Sequence, residues 1–129
     1  MVIDTSALVA ILLDEPGAEQ IEDAISEDPV RLVSAASVLE TSIIVEARFG
    51  EPGGRELDLL IHRAAIDIAP VTADQIEVAR QAFRSFGRGR HPAALNFGDC
   101  FSYALSKTSG EPLLFKGDDF AQTDAESVF

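Results

Sequence analysis

Short apolar runs alternate along this chain with longer stretches in which apolar residues recur at helical spacing. Val2–Asp4 reads as a brief strand and Thr5–Leu13 as a helix closed by the turn Asp14–Gly17. Ala18–Ser26 is a second helix with an acidic outer face, Asp28–Pro29 breaks the chain, and Val30–Val33 is a strand. Ser34 or Ser37 can cap the helix that runs to Phe49, and Glu40 stands in the capping-box position after Ser37. Gly50–Gly54 reads as a turn, Arg55–Ala65 as a helix with Leu57, Leu60 and Ile61 inward, and Ile66–Ile68 as a strand. Thr72 caps a helix through Phe86 whose Ile76, Ala79 and Phe83 share one stripe. After a loop at Gly87–Pro92, Asn96 or Phe97 opens a helix to about Ser109, which Gly110 ends. Leu113–Phe115 is a strand, and Val128–Phe129 can add a short last one.

This alternation predicts an α/β fold: a central, mainly parallel sheet flanked by helices on both faces, as one domain spanning 1–129. Right-handed crossovers bring the strand carboxyl ends to one edge, where open α/β sheets bind ligands. Asp4 ends the first strand and Asp118 follows the last clear one, so both are expected at that edge.

Composition narrows the chemistry. With 129 residues and 47% hydrophobic content the chain can bury a core of its own. No apolar run approaches the roughly 20 residues that span a bilayer. The opening MVIDTSALVAILLDEP lacks a basic segment and carries Asp4 within its apolar run, unlike a signal peptide. The expected compartment is the cytoplasm, which suits a single cysteine, Cys100, expected as a small buried hydrophobe. No thiol or histidine set suggests zinc; His62 belongs to a helix surface. The net charge of −12 opposes nucleic-acid binding by the chain as a whole. Its distribution reopens the question, because Arg80, Arg84, Arg88, Arg90 and His91 crowd one short stretch.

The acids are the candidate chemistry. Two carboxylates about 4 Å apart cost on the order of 4 kcal/mol at an effective dielectric near 20, unless a pKa rises or a cation joins them. Asp4 can serve as an N-cap, yet Thr5 and Ser6 would cap equally well, and an acid after an apolar strand is a common ligand position. Thr5 or Ser6 would then orient Asp4 or contact a bound water or phosphate. Glu40 can be a capping-box glutamate. Asp99 stands one turn into a helix whose neighbours Phe97, Cys100, Phe101, Ala104 and Leu105 are apolar nearly all round, where either the helix dipole or a metal explains it. In Lys116-Gly117-Asp118-Asp119-Phe120 one aspartate belongs at the crevice; Asp118 is preferred, with Asp119 as a structural cap, although spacing does not decide between them. If Asp4, Glu40, Asp99 and Asp118 converge, they form a divalent-metal site for phosphodiester hydrolysis.

These residues together resemble the PIN-domain ribonucleases, specifically the VapC-type toxins of bacterial toxin–antitoxin systems. The resemblance lies in Val2-Ile3-Asp4-Thr5-Ser6-Ala7-Leu8, in Glu40 on its helix, in the long segment Gly87 to Leu105 with its Asn96-Phe97-Gly98-Asp99 core, and in the closing Leu113 to Asp124. It implies a PIN-domain fold and an endoribonuclease acting on structured RNA, chiefly tRNA. It also implies Mg²⁺ or Mn²⁺ on Asp4 and Asp99, with Glu40 and Asp118 completing the pocket. Arg84, Arg88, Arg90 and His91, just before the metal helix, would form a phosphate-contacting rim. A VapB-type antitoxin with a basic segment, and a second copy of the chain, are the implied partners. Against this stands a non-catalytic PIN-type module acting only by binding a partner, which loss of a core acid would mark; all the candidates are present.

Overall fold

The computed structural model describes residues 1–129. Four strands, β1 (Val2–Ile3), β2 (Leu32–Ser34), β3 (Asp67–Ala69) and β4 (Leu113–Leu114), alternate with six helices. These are α1 (Thr5–Leu12), α2 (Ala18–Glu27), α3 (Ala35–Phe49), α4 (Glu51–Arg63), α5 (Ala73–Phe86) and α6 (Phe97–Ser109), with a 3-10 turn at Phe120–Gln122 near the end. The sheet order is β3-β2-β1-β4 and every pairing is parallel. No helix is long and apolar enough to cross a membrane.

Alternation within the strands builds two cores. Ile3, Val33 and Leu114 point to one face, where Leu8, Ile21, Ile25 and Leu57 of α1, α2 and α4 cover them. Val2 and Leu113 point to the other, beneath Ala79, Ala82, Tyr103 and Leu105 of α5 and α6. Two-residue strands suffice because both faces of each are buried. The expected helices on both faces are therefore present.

The chain leaves β1 toward β2 and β3 on one side and returns to β4 on the other. The switch point thus lies between β1 and β4, whose register is Ile3 against Leu114. The Asp4 N–H donates to Leu114 O at 2.9 Å, so the first residue past β1 is pinned beside the last residue of β4.

Several boundaries differ from expectation, each for a local reason. Ser34, not Ser37, caps α3, its hydroxyl accepting from Ala36 N–H at 3.3 Å, so the capping box at Ser37–Glu40 does not form. The segment Gly50–Gly54, expected as a turn, is instead the first turn of α4. Pro52 sits there where a missing N–H costs nothing, and Gly53 and Gly54 lie against α3. β2 starts at Leu32 and β3 runs one residue later than predicted, while Phe115 falls outside β4. The closing strand reduces to one parallel bridge between Leu113 and Ser127.

The two glycines of α4 predict opposite outcomes. A Cβ at Gly53 would lie 2.6 Å from the Val45 carbonyl oxygen, and backbone cannot step aside. Gly53→Ala should destabilise by about 1–3 kcal/mol in a denaturant titration. At Gly54 a Cβ meets only the end of the Glu46 side chain, at 3.1 Å. Gly54→Ala should instead stabilise by about 0.5–1 kcal/mol, the usual gain in a helix interior.

Candidate active site

Three elements deliver three acids to the carboxyl edge of the sheet. Asp4 caps α1: its Oδ2 accepts from the Ser6 backbone N–H at 2.9 Å and from Ser6 Oγ at 2.7 Å. Ser6 Oγ in turn accepts the Lys116 N–H at 2.9 Å, tying the loop after β4 to the same carboxylate. Asp4 is 3% exposed; its Oδ1 makes no hydrogen bond, yet no buried polar side-chain atom is left without a partner, so Oδ1 keeps an open side. Asp99 closes a capping box at the start of α6. Its N–H donates to Asn96 Oδ1 at 2.9 Å and its Oδ2 accepts the Asn96 N–H at 3.0 Å. The capping readings of Asp4 and Asp99 are thus both real, and each occupies only one oxygen.

Glu40 behaves differently. It projects from the second turn of α3 and its carboxylate takes no hydrogen bond. What seats it is the missing side chain of Gly98, where a Cβ would overlap both Glu40 oxygens, Oε1 being only 2.6 Å away. Glycine within the first turn of α6 therefore lets the carboxylate of α3 lie against the backbone next to Asp99.

Behind the acids runs a buried polar seam. Ser37 Oγ and Ser102 Oγ share a hydrogen bond of 3.2 Å, Thr41 Oγ1 donates to Ser37 O at 2.7 Å, and Thr5 Oγ1 reaches the same carbonyl at 3.5 Å. Ser37 precedes Glu40 by one helical turn and Ser102 follows Asp99 by one, so their bond joins the two acid-bearing helices at the level below the acids. All four hydroxyl residues are buried.

Asp4, Ser6, Glu40, Asn96, Asp99 and Lys116 line a pocket of about 490 Å³. Lys116 Nζ sits on its rim, paired with Glu15 at 3.3 Å. Burial pushes the Asp99 carboxyl up to about 7; the charges of Asp4, Asp119 and Glu40 push the same way, against the Asn96 N–H bond, which lowers it. No three His, Cys, Asp or Glu groups stand close enough to enclose an ion alone. An all-carboxylate donor set with few direct ligands suits Mg²⁺ or Mn²⁺, which keep several waters, and does not suit zinc.

The closing loop divides its aspartates. Asp119 is the one whose charge acts on Asp99, while both it and Asp118 are exposed and only Lys116 and Gly117 of this loop reach the pocket wall. Neither Asp118, preferred from the sequence as the fourth acid, nor Asp119 lines the pocket itself. Thr5 and Ser6 both line the pocket. Arg84 and Arg88 line a neighbouring groove, Arg90 lies 5.8 Å from the Phe83 ring centre, and Arg80 pairs with Glu77 at 2.8 Å. His91 is drawn into the loop itself: Nδ1 accepts the Ala93 N–H at 3.0 Å and the ring meets Phe86 edge-on. Gly98, Asn96, Ser37 and Ser102 were not anticipated as site residues; a glycine just inside a helix, beside an acid, was the one visible sign.

Known proteins place this arrangement. The family model described as PIN domain matches residues 1–126. Ribonuclease VapC30 of Mycobacterium tuberculosis is 64% identical over 99% of this chain and 98% of its own length. Ribonuclease VapC of Mycolicibacterium smegmatis is 64% identical over 99% of both. The chain belongs to the VapC ribonucleases of the PIN-domain family. Among solved structures, VapC20 of M. tuberculosis, a Sarcin-Ricin loop cleaving toxin, superposes with a TM-score of 0.79 over 96% of this chain and 95% of that one, at 19% identity. VapBC2 from Rickettsia felis, bound to a DNA fragment from their promoter, gives 0.73 at 10% identity, over 94% of this chain and 90% of that one. At those identities the two structures establish the shared fold.

Asp99 carries a pH prediction for this VapC-type chain. Its carboxyl titrates higher in the folded state than in the unfolded one, so between about 4 and 7 the folded state holds more protons and stability falls as pH rises. In EDTA, the melting temperature should drop across that window. Asp99→Asn, which keeps an acceptor for Asn96, should flatten the drop and melt higher at pH 8. Equal slopes for the two proteins would exclude a raised Asp99. Gly98→Ala should leave the fold intact but displace the Glu40 carboxylate, lowering RNA cleavage as far as Glu40→Gln does.

Proposed function

We propose that this chain is a Mg²⁺- or Mn²⁺-dependent endoribonuclease toxin that hydrolyses phosphodiester bonds in structured RNA, chiefly tRNA, and so stops translation. The observation that carries the reading is the meeting of Asp4, Glu40 and Asp99 in one pocket, with two of them held rigidly by helix caps and Asp99 raised to about 7. Near-whole-length identity of 64% to VapC ribonucleases supports the reaction class.

The roles follow from the free oxygens. Asp4 and Asp99, each with only Oδ2 engaged in its cap, would hold the cation. A divalent cation held there would make a water easier to deprotonate near neutral pH and would neutralise charge on the phosphate. Glu40, free of hydrogen bonds, accepts the proton of the attacking water; Asp119 adds negative charge at the loop side. Products with 5′-phosphate and 3′-hydroxyl ends are expected. Partners on this reading are a VapB-type antitoxin bearing a basic segment and a second copy of the chain. Leu39 and Ile43, 63% and 61% exposed on α3 beside Glu40, offer apolar surface for docking next to the acidic pocket.

Purified chain, freed of antitoxin, should cleave total tRNA with Mg²⁺ or Mn²⁺, stop in EDTA, and lose activity in Asp99→Asn. Cleavage of ribosomal RNA alone would keep the nuclease and remove tRNA. No metal-dependent cleavage of either would leave a PIN-type binding module in its place.

A further inference from the structure

Beside the acid pocket, between α5 and α6, lies a larger groove of about 790 Å³. Its walls include Phe83, Arg84, Arg88, Asn96, Phe97 and Phe101. Asn96 lines both cavities, so the groove adjoins the pocket that holds Asp99. Phe97, two residues before Asp99, is 80% exposed and meets the Phe101 ring in a T-shaped contact, with ring centres 4.9 Å apart at 84°. A phenylalanine so exposed beside the acid pocket presents most of its ring to solvent, and no core contact of the fold requires it.

Charge identifies the occupant. The chain has 22 acids, yet Arg84, Arg88 and Arg90 form no ion pair with any of them. Three unneutralised guanidinium groups at one end of α5 and its following loop attract an anion, while the aromatic floor favours flat rings. Alternating phosphates and bases meet both demands, and a carboxylate-rich protein face meets only the first. Stacking needs bases free of a helix, which selects single-stranded RNA over duplex.

Resting on the ribonuclease reading above, we propose that the α5–α6 groove is a single-stranded RNA subsite in which a base flanking the cut stacks on Phe97 and adjoining phosphates lie on Arg84 and Arg88. The groove then selects unpaired RNA and aims it at the acid pocket.

The chain contains no tryptophan, so Phe97→Trp supplies a lone reporter at the stacking position. In an Asp99→Asn background, which blocks cutting, a short oligouridylate should quench that emission to saturation, and an RNA duplex of equal length should not. Phe97→Ala should weaken oligouridylate binding about tenfold or more. Arg84→Ala and Arg88→Ala should each reduce the slope of log affinity against log salt by about 0.7. Because Phe97 is exposed, these chains should fold as the parent does, which circular dichroism checks. Unchanged tryptophan emission with bound oligouridylate, or undiminished binding by Phe97→Ala, would overturn the subsite. So would sedimentation showing that Phe97→Ala halves the mass of the assembly, since the face would then belong to a contact between copies. If oligouridylate quenches but no RNA is ever cut, the subsite stands and the ribonuclease reading falls. If RNA is cut equally well by Phe97→Ala, the subsite alone falls.

Discussion

Bringing Asp4, Glu40 and Asp99 into one partly buried pocket is the constraint around which the rest of the fold is arranged. Three carboxyl groups sharing one pocket disfavour one another's charge, and a stiff frame holds them together. The frame is visible bond by bond. Asp4 is fixed by Ser6 and by the β1–β4 pairing, Asp99 by its box with Asn96, and the two helices behind them by Ser37 and Ser102. The helix N-termini at Asp4 and Asp99 also bring partial positive charge to the acids they carry, which offsets part of the repulsion. A pocket built this way is strained in electrostatic terms but not in packing terms, and on the proposed reading a cation would relieve it.

A −12 chain that handles RNA must separate two fields. The acid pocket attracts a cation and repels phosphate, so substrate has to be drawn in from beside it. Arginine is concentrated where that is possible, along α5 and the loop before α6, while the acids of α2 lie on another part of the surface. Lys116 is the exception at the pocket itself, and Glu15 holds it at the rim. Long-range charge sets how RNA approaches; local charge sets where it stops. Net charge alone therefore hides a cationic stretch along 80–91, to which the proposed subsite assigns a use.

The fold was largely legible because its signals are local. Alternating short apolar runs gave the parallel sheet, and Thr72 and Asn96 marked helix starts that the structure repeats. Where reading failed, the deciding contact was distant in sequence. Gly53 and Gly54 look like a turn until α3 is seen against them. Ser37 looks like a cap until it meets Ser102, 65 residues away. The groove was invisible for the same reason: its arginines were noted, but Phe83, Phe97 and Phe101 read as core until α5 and α6 were placed side by side.

The contrast among the three acids also implies a division of labour that their sequence contexts hide. Asp4 and Asp99 look like residues with dispensable capping roles, yet capping is what makes them good ligands on the proposed reading. Each cap fixes the carboxyl plane and leaves the other oxygen aimed outward at no further entropic cost. Glu40 looked most like a cap and is none. It is longer, unbonded and braced only by the absence of a side chain at Gly98. Such a group can shift to follow a proton, which a capped aspartate cannot do without breaking its helix start. Rigid groups suit holding a cation and a movable one suits moving a proton, so the hydrogen bonds that Glu40 lacks are as informative as those that Asp4 and Asp99 make.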